Sequence, residues 1–212
     1  KLFKAAVTEL RKRNIRFAVV GGFAADLYRR EPRLTLDIDL GILTETRAGE
    51  TAIAVIEALG LRPGMVRKAD LAGGPLFAIR RRNTEPCMIV GRPAGAGVAE
   101  GVDFLLPAIP WVRDAVQRAQ ANEVDFGFGP VPTLTLEDVI LSKLYALMSA
   151  RLRAKDLDDL QSIFEADPEL DLPYLAGQMR RFDIVIPPAA EPFLPGVLLR
   201  LSCEIRRARK SP

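Results

Sequence analysis

Residues 19–40 read VVGGFAADLYRREPRLTLDIDL, and this stretch predicts the beginning of the fold. An apolar run ends in the glycine pair Gly21 and Gly22, which indicates a strand that turns directly into a short helix. A second apolar strand follows and carries Asp37 and Asp39. Strand, helix and strand in this order are typical of a sheet that mixes strands with covering helices.

Asp37 and Asp39 lie two residues apart, so a strand presents both side chains on the same face. Along a strand the two residues are roughly 6.6 Å apart at about 3.3 Å per residue, and two carboxylates held this way repel each other unless a cation lies between them. Hard oxygen ligands suit magnesium, which is usually shared with the phosphates of a substrate. The aspartate pair therefore predicts a metal site.

Gly21 and Gly22 lie where the first strand turns into a helix, and there the backbone can come close to a polyphosphate. The free N–H groups and the dipole of the helix favour anions at that point. With phosphate bound on one side and a metal on the other, the segment predicts a site for nucleotidyl transfer.

Asp103 is a polar residue inside the apolar segment GVDFLL, and burying a lone carboxylate there is costly without a partner. As a third carboxylate from a neighbouring strand, it would complete a two-metal site and help to deprotonate an attacking hydroxyl. The alternative is an aspartate on an edge strand that faces water. Both alternatives stay open at the level of the sequence.

Lys143 falls on the apolar stripe of a predicted helix, residues 136–150, and a lysine on a buried face requires a reason. It either extends its ammonium to the rim of the core or reaches a triphosphate as a point charge. Downstream, the segment KDLDDL (155–160) places charges beside an apolar stripe, and by its spacing alone it indicates a solvated helix face.

Composition excludes several kinds of chemistry. Of 212 residues, 49% are hydrophobic and none is histidine, which excludes histidine bases, Ser-His-Asp triads and histidine-ligated zinc. No apolar run approaches the roughly 18 residues that span a bilayer, so no membrane is expected. Two cysteines form no disulfide framework, and with no visible signal peptide we expect a cytoplasmic protein.

The net charge of +3 comes from the end of the chain, where residues 204–212 contain four basic side chains and one acid. The charges of the remaining residues therefore cancel, and the body of the protein is not a general binder of polyanions. The basic tail either contacts nucleic acid or lipid, or is a solvated helix end without a partner.

The order of the predicted elements favours an α+β (mixed α/β) protein with its strands concentrated before residue 130. We predict two parts, a catalytic domain at 1–130 and a helical C-terminal region at 131–212 packed on it. The predicted strands are 15–20, 36–43, 76–81, 88–90, 102–106 and 124–128. The predicted helices are 2–13, 23–30, 51–59, 111–121, 136–150 and 154–166.

These motifs together resemble the minimal nucleotidyltransferases of the DNA polymerase β superfamily, and within it the AbiEii-like abortive-infection toxins. The resemblance covers roughly residues 15–165. It rests on VVGG at 19–22, RxTxDxDL at 33–40, LEDVIxxKxxAL at 136–147 and RxxDLxDL at 153–160.

The resemblance implies a nucleotidyltransferase fold, in which helices flank a mixed β-sheet. It also implies transfer of a nucleoside monophosphate from an NTP, with Mg²⁺ or Mn²⁺ as the cofactor and pyrophosphate as the leaving group. The nucleotide would be bound by residues of three motifs, namely Gly21, Gly22, Arg33, Thr35 and Lys143. The metals would be held by Asp37 and Asp39 with Asp103, and Asp156 would complete the pocket or order Lys143.

The acceptor hydroxyl stays open among RNA or tRNA, a protein and a small molecule. A toxin of this kind implies an antitoxin as its partner. The alternative from a different class is a degenerate nucleotidyltransferase that binds nucleotide or RNA without turnover.

Overall fold

A computed structural model describes residues 1–44, 47–67, 86–94, 101–148 and 153–209. Within these ranges the helices are α1 (Leu2–Lys12), α2 (Gly21–Ala25), α3 (Ala48–Ala58), α4 (Val112–Ala119), α5 (Leu136–Leu147), α6 (Ala154–Glu165), α7 (Leu172–Arg181) and α8 (Gly196–Ala208), with a 3₁₀ segment at Pro188–Phe193. The strands are β1 (Arg16–Val19), β2 (Ile38–Leu43), β3 (Arg62–Arg67), β4 (Pro86–Arg92), β5 (Val102–Leu105), β6 (Glu123–Asp125) and β7 (Pro130–Pro132).

The chain divides into two compact units. In its described part, the first unit contains Lys1–Ala24 and most of the chain from Leu34 to Thr135, including all the strands given above. The second unit contains Ala25–Arg33 and the helices from Leu136 onward. That residues 1–130 form a catalytic domain, with 131–212 packed on it, stays a prediction.

The first unit contains a mixed sheet with the strand order β1-β2-β5-β4-β3. Strands β2 and β5 are parallel, and the other neighbours are antiparallel. Helix α4 packs on β1 and β2, and α3 packs on β3 and β4. The central strands are short apolar runs, IDLGIL and VDFL, buried along most of their length, as expected for strands covered on both faces. The predicted fold class, a mixed sheet flanked by helices, is confirmed.

Strand β3 was not predicted from the sequence. It contains Pro63 and Gly64, which normally argue against a strand. In the structure β3 lies at the edge of the sheet and pairs only with β4 among the described strands, and an edge strand tolerates a proline because one side of its backbone needs no partner.

Most predicted elements differ from the structure by one to three residues at an end, and two differ more. The helix predicted at 23–30 is the shorter α2, which begins at Gly21 and ends at Ala25. The strand predicted at 124–128 is instead the hairpin β6–β7, whose turn is held by the exposed carboxylate of Asp125. Its Oδ1 accepts N–H bonds from Gly129, Gly127 and Phe128, and these bonds lower the pKa of Asp125. The strand predicted at 76–81 lies outside the described residues.

The second unit is helical, and α5 packs against both α6 and α7. At its C-terminal end, Arg206 bonds the carbonyl of Ile186 and lies 3.2 Å from Glu191, and Arg209 lies 2.6 Å from Asp183. Part of the basic tail is therefore paired with acids of its own unit. Among the described residues, no helix has the length and apolar character needed to cross a membrane.

Candidate active site

Asp39 and Asp103 are direct neighbours in the sheet of the first unit. The parallel register of β2 and β5 pairs Asp39 with Asp103, which places both side chains on the same face. Asp39 is half-buried and Asp103 is 8% exposed. Because neighbouring strands lie about 4.8 Å apart, two carboxylates paired in this way repel each other unless a cation is close. Asp37 comes one residue before β2 begins and is also half-buried.

Gly21 provides the space that the Asp39 side chain occupies. Its φ is +63°, in the left-handed region that favours glycine, and a Cβ at this position would overlap the carboxylate of Asp39. The N–H of Val20 donates to the carbonyl of Asp39 at 3.0 Å, which holds the end of β1 beside β2. The glycine turn and the aspartate are thus built against each other.

The predicted phosphate-binding role of the glycine pair stays a prediction. Gly22 is buried, and α2 is only 5 residues long, so its dipole is that of little more than one turn. Thr35 lies in the irregular segment before β2 and is half-buried. Its predicted hydroxyl contact with the nucleotide also stays a prediction.

Arg92, at the end of β4, is a residue of this site that the sequence did not reveal. Its Nη1 and Nη2 donate to Oδ1 and Oδ2 of Asp103, the second bond being 3.0 Å long. The hydrogen bond to Asp103 raises the pKa of Arg92 against the opposing effect of burial, and the charges of Asp103, Asp37 and Asp39 raise it further. A single arginine after an apolar run has no sequence signature, and only the strand register brings it to Asp103.

The three carboxylates differ in how well they fit a metal ion. Among the described residues, no group of three or more Asp, Glu or Cys side chains is arranged to hold one. Asp37 and Asp39 fit a divalent ion that takes one or two carboxylates and completes its shell with water and substrate phosphates. Asp103 is bonded by Arg92 on both oxygens, so its role as a metal ligand stays a prediction.

In the second unit, Lys143 is buried in an ion-pair network. Its Nζ lies 2.9 Å from Oδ1 of Asp156 and 2.6 Å from Oδ2 of Asp159. The ammonium therefore does not extend to a solvated rim. The expectation of a solvated face at 155–160 is correct for Asp158, whose side chain is 60% exposed, and wrong for Asp156 and Asp159, which are buried.

Asp159 is the centre of this network and has a relative exposure of 0%. It accepts from Arg29 at 2.7 Å and from two nitrogens of Arg33 at 2.8 Å and 3.1 Å, in addition to Lys143. Burial raises the pKa of Asp159, but the hydrogen bonds and charges of Arg33 and Lys143 together outweigh it, so the pKa lies below its ordinary value. The same bond raises the pKa of Arg33.

The predicted site residues thus fall into two groups. The first unit contains Gly21, Gly22, Thr35, Asp37, Asp39 and Asp103, and the second contains Arg33, Lys143 and Asp156. Arg33 is bonded to Asp159, and its predicted contact with the nucleotide stays a prediction. Asp159 belongs to a sequence motif that indicated no role for it.

Asp39 lies on an inner strand of the mixed sheet beside a glycine turn, with Asp37 two residues before it. Residues 7–185 match the model of a family described as "Nucleotidyl transferase AbiEii toxin, Type IV TA system". Since the match covers most of the 212 residues, the chain belongs to this family. It is a nucleotidyltransferase of a toxin–antitoxin family, and both the predicted family and the predicted enzyme class are confirmed.

Several solved structures are similar to the chain. The antibiotic-resistance factor ANT(2'')-Ia has 19% identity and a TM-score of 0.45, with 99% of this chain and 92% of that chain covered. An antigenic nucleotidyltransferase-like protein from Paracoccidioides brasiliensis has 18% identity and a TM-score of 0.43, with 77% and 75% covered. JHP933 from Helicobacter pylori has 12% identity and a TM-score of 0.43, with 100% and 93% covered. A comparison with curated proteins finds no match.

Proposed function

We propose that this protein transfers a nucleoside monophosphate from an NTP to an acceptor hydroxyl, with a divalent ion, Mg²⁺ or Mn²⁺, held at Asp37 and Asp39. The observation that carries the proposal is the position of the Asp39 carboxylate, which packs directly against Gly21, with Asp37 two residues before it in the chain. Because both carboxylates stay half-exposed beside a left-handed glycine, they are accessible to a metal that shares substrate phosphates.

In the reaction the acceptor oxygen forms a bond to the α-phosphorus, and the bond from that phosphorus to the bridging oxygen of the β-phosphate breaks. Pyrophosphate leaves, and the proton of the hydroxyl passes to a base. The sequence predicted Asp103 for this role, but both of its oxygens accept bonds from Arg92. A bound divalent ion would neutralise the charge of the phosphate oxygens. The protein supplies position and charge, which carry most of the catalysis in phosphoryl transfer.

Asp156 and Asp159 hold the ammonium group of Lys143 in place. Because Nζ lies within hydrogen-bond distance of both carboxylates, the ammonium has a defined place inside the helical unit. Of the two roles that the resemblance implied for Asp156, ordering Lys143 is the one that this contact favours. The contact of Lys143 with a triphosphate stays a prediction.

The biological setting that we propose is that of a toxin controlled by an antitoxin, as the family description supports. The acceptor is to be found among RNA or tRNA, proteins and small molecules. A degenerate module that binds nucleotide or RNA without turnover is the outcome to be distinguished.

The test is transfer of label from each α-labelled NTP in the presence of Mg²⁺, with total RNA and then cell lysate supplied as acceptors. Wild type is compared with the double variant Asp37→Asn/Asp39→Asn and with Glu123→Gln, which removes one exposed charge from the same unit. We expect transfer by wild type and by Glu123→Gln only. Binding of nucleotide without transfer by any of the three would overturn the enzymatic proposal in favour of the binding module.

A further inference from the structure

Asp103 and Arg92 form a built pair, since the surrounding backbone makes room for the guanidinium. Gly101 is buried, and a Cβ on it would overlap Nη1 and Cζ of Arg92. Nη1 also donates to the carbonyl of Gly91 at 3.0 Å. The guanidinium is therefore held by the backbone on one side and by both oxygens of Asp103 on the other. Such a two-bond pair is among the stronger ionic contacts in proteins.

The place of this pair matters because Asp103 is the strand neighbour of Asp39. A second divalent ion would ordinarily be the charge that allows a third carboxylate to stand beside the first two. Here a fixed positive charge already lies against Asp103, and a guanidinium keeps its charge at every pH of interest. The charges of Asp37 and Asp39 also raise the pKa of Arg92, so the guanidinium lies within electrostatic reach of the aspartate pair.

We propose that Arg92 takes the charge-neutralising place of a second divalent ion, so that the protein holds one ion, at Asp37 and Asp39, while Asp103 is reserved for the guanidinium. The inference rests on the proposed function, because it assumes that the aspartate pair holds an ion. It makes Arg92 a positioning residue that keeps Asp103 out of the metal shell. It also replaces the two-metal arrangement expected from the sequence by a one-metal arrangement.

The experiment counts bound Mn²⁺ per chain by titration of the full protein, followed through the electron paramagnetic resonance signal of the free ion. We expect one ion for wild type, one for Asp103→Asn, none for Asp37→Asn/Asp39→Asn and two for Arg92→Gln. The matched control is Arg62→Gln, which removes the same charge from the exposed strand position paired with Arg92 and should leave one ion. Arg92→Lys, which keeps the charge, should also leave one ion.

Each contrary result has a distinct meaning. Two ions in wild type, with one lost in Asp103→Asn, would overturn the inference and leave the proposed function intact, since Asp103 would then be a ligand. One ion in a folded Arg92→Gln variant would also overturn it. No ion in wild type would overturn the proposed metal site and this inference together. If Arg92→Gln does not fold, as judged by circular dichroism, the counts for wild type and Asp103→Asn together still decide between the two arrangements, because only a two-ion site loses an ion in Asp103→Asn.

Discussion

The acidic group of the first unit, Asp37, Asp39 and Asp103, differs from that of the second unit, Asp156 and Asp159, in how far its carboxylates are enclosed. Asp37 and Asp39 are half-buried, and their neighbour Asp103 is bonded by a single cationic side chain, that of Arg92. Asp159 is 0% exposed and is surrounded by three cationic side chains, those of Arg29, Arg33 and Lys143. The first group keeps part of its carboxylate surface in contact with solvent, whereas the second is fully enclosed.

This difference separates binding from support. A carboxylate that binds a metal shared with substrate phosphates must stay accessible. Because it stays partly in water, only part of its desolvation free energy opposes folding. A carboxylate that is enclosed by three cations has no free access, and removing it takes away the counter-charge that those three cations share. We therefore expect changes in the first group to affect activity more than stability, and changes in the second to do the reverse.

The largest effect is expected for Asp39→Asn. Removing one carboxylate from the pair should lower the transfer rate by about three orders of magnitude or more, the scale seen when a preorganised charge is lost from an active site. The melting temperature should stay near that of wild type, because one of two neighbouring like charges is removed. Single-turnover transfer with labelled NTP and calorimetric melting measure the two quantities. A stability loss as large as the activity loss would contradict the comparison.

The reverse pattern is expected for Asp159→Asn. Leaving Arg29, Arg33 and Lys143 without their shared carboxylate should lower the free energy of unfolding by about 3–5 kcal/mol, measured by urea denaturation. The control is Asp158→Asn, whose side chain is 60% exposed and should change stability by less than about 1 kcal/mol. Equal losses in the two variants would show that enclosure does not matter.

A smaller effect, on both stability and transfer rate, is expected for Gly21→Ala. The left-handed backbone should cost about 1–2 kcal/mol in stability, and the displaced Asp39 carboxylate should lower transfer by about 10²-fold. Gly60→Ala is the matched control, because Gly60 has φ +72° and no atom within 4 Å of a Cβ. It should lose stability alone, and an equal loss of transfer in Gly60→Ala would contradict the role assigned to Gly21.

The smallest effect concerns acid stability. Because the folded pKa of Asp159 lies below its unfolded value of about 3.9, the unfolded state binds the proton more readily. The resulting stabilisation is complete above that value and is lost as the pH falls through the lower, folded pKa. Wild type should therefore lose stability on acidification below about pH 4 more steeply than Asp159→Asn does. Urea midpoints measured between pH 5 and pH 2 compare the two slopes, and identical slopes would exclude this contribution.

Most of the sheet could be predicted from the sequence because its central strands are apolar runs with clear ends. β2 and β5 lie within the predicted segments, and the helices α5 and α6 lie within their predicted ranges. β3 could not be predicted, because its proline and glycine oppose a strand in any context except an edge. Helix α2 was predicted too long, because the apolar spacing after Gly22 continues past the point where the backbone turns.

For the site, the sequence predicted the acidic and basic residues but not their partners. The exception is Asp156, for which the resemblance implied either completing the pocket or ordering Lys143, and its contact with Lys143 is present. The bonds from Arg92 to Asp103 and from Arg33 to Asp159 were not expected, because no local sequence pattern indicates either partner.

The sequence by itself determined the aspartate pair and the glycine turn, because strand periodicity and the conformational freedom of glycine act over two or three neighbouring residues. Only the tertiary structure decided which charges meet. Arg33 and Asp159 are 126 residues apart in the chain, and Arg29 and Asp159 are 130 apart. Contacts at such separations depend on strand register and helix packing, and these are set by the burial of the whole core and not by any short stretch of sequence.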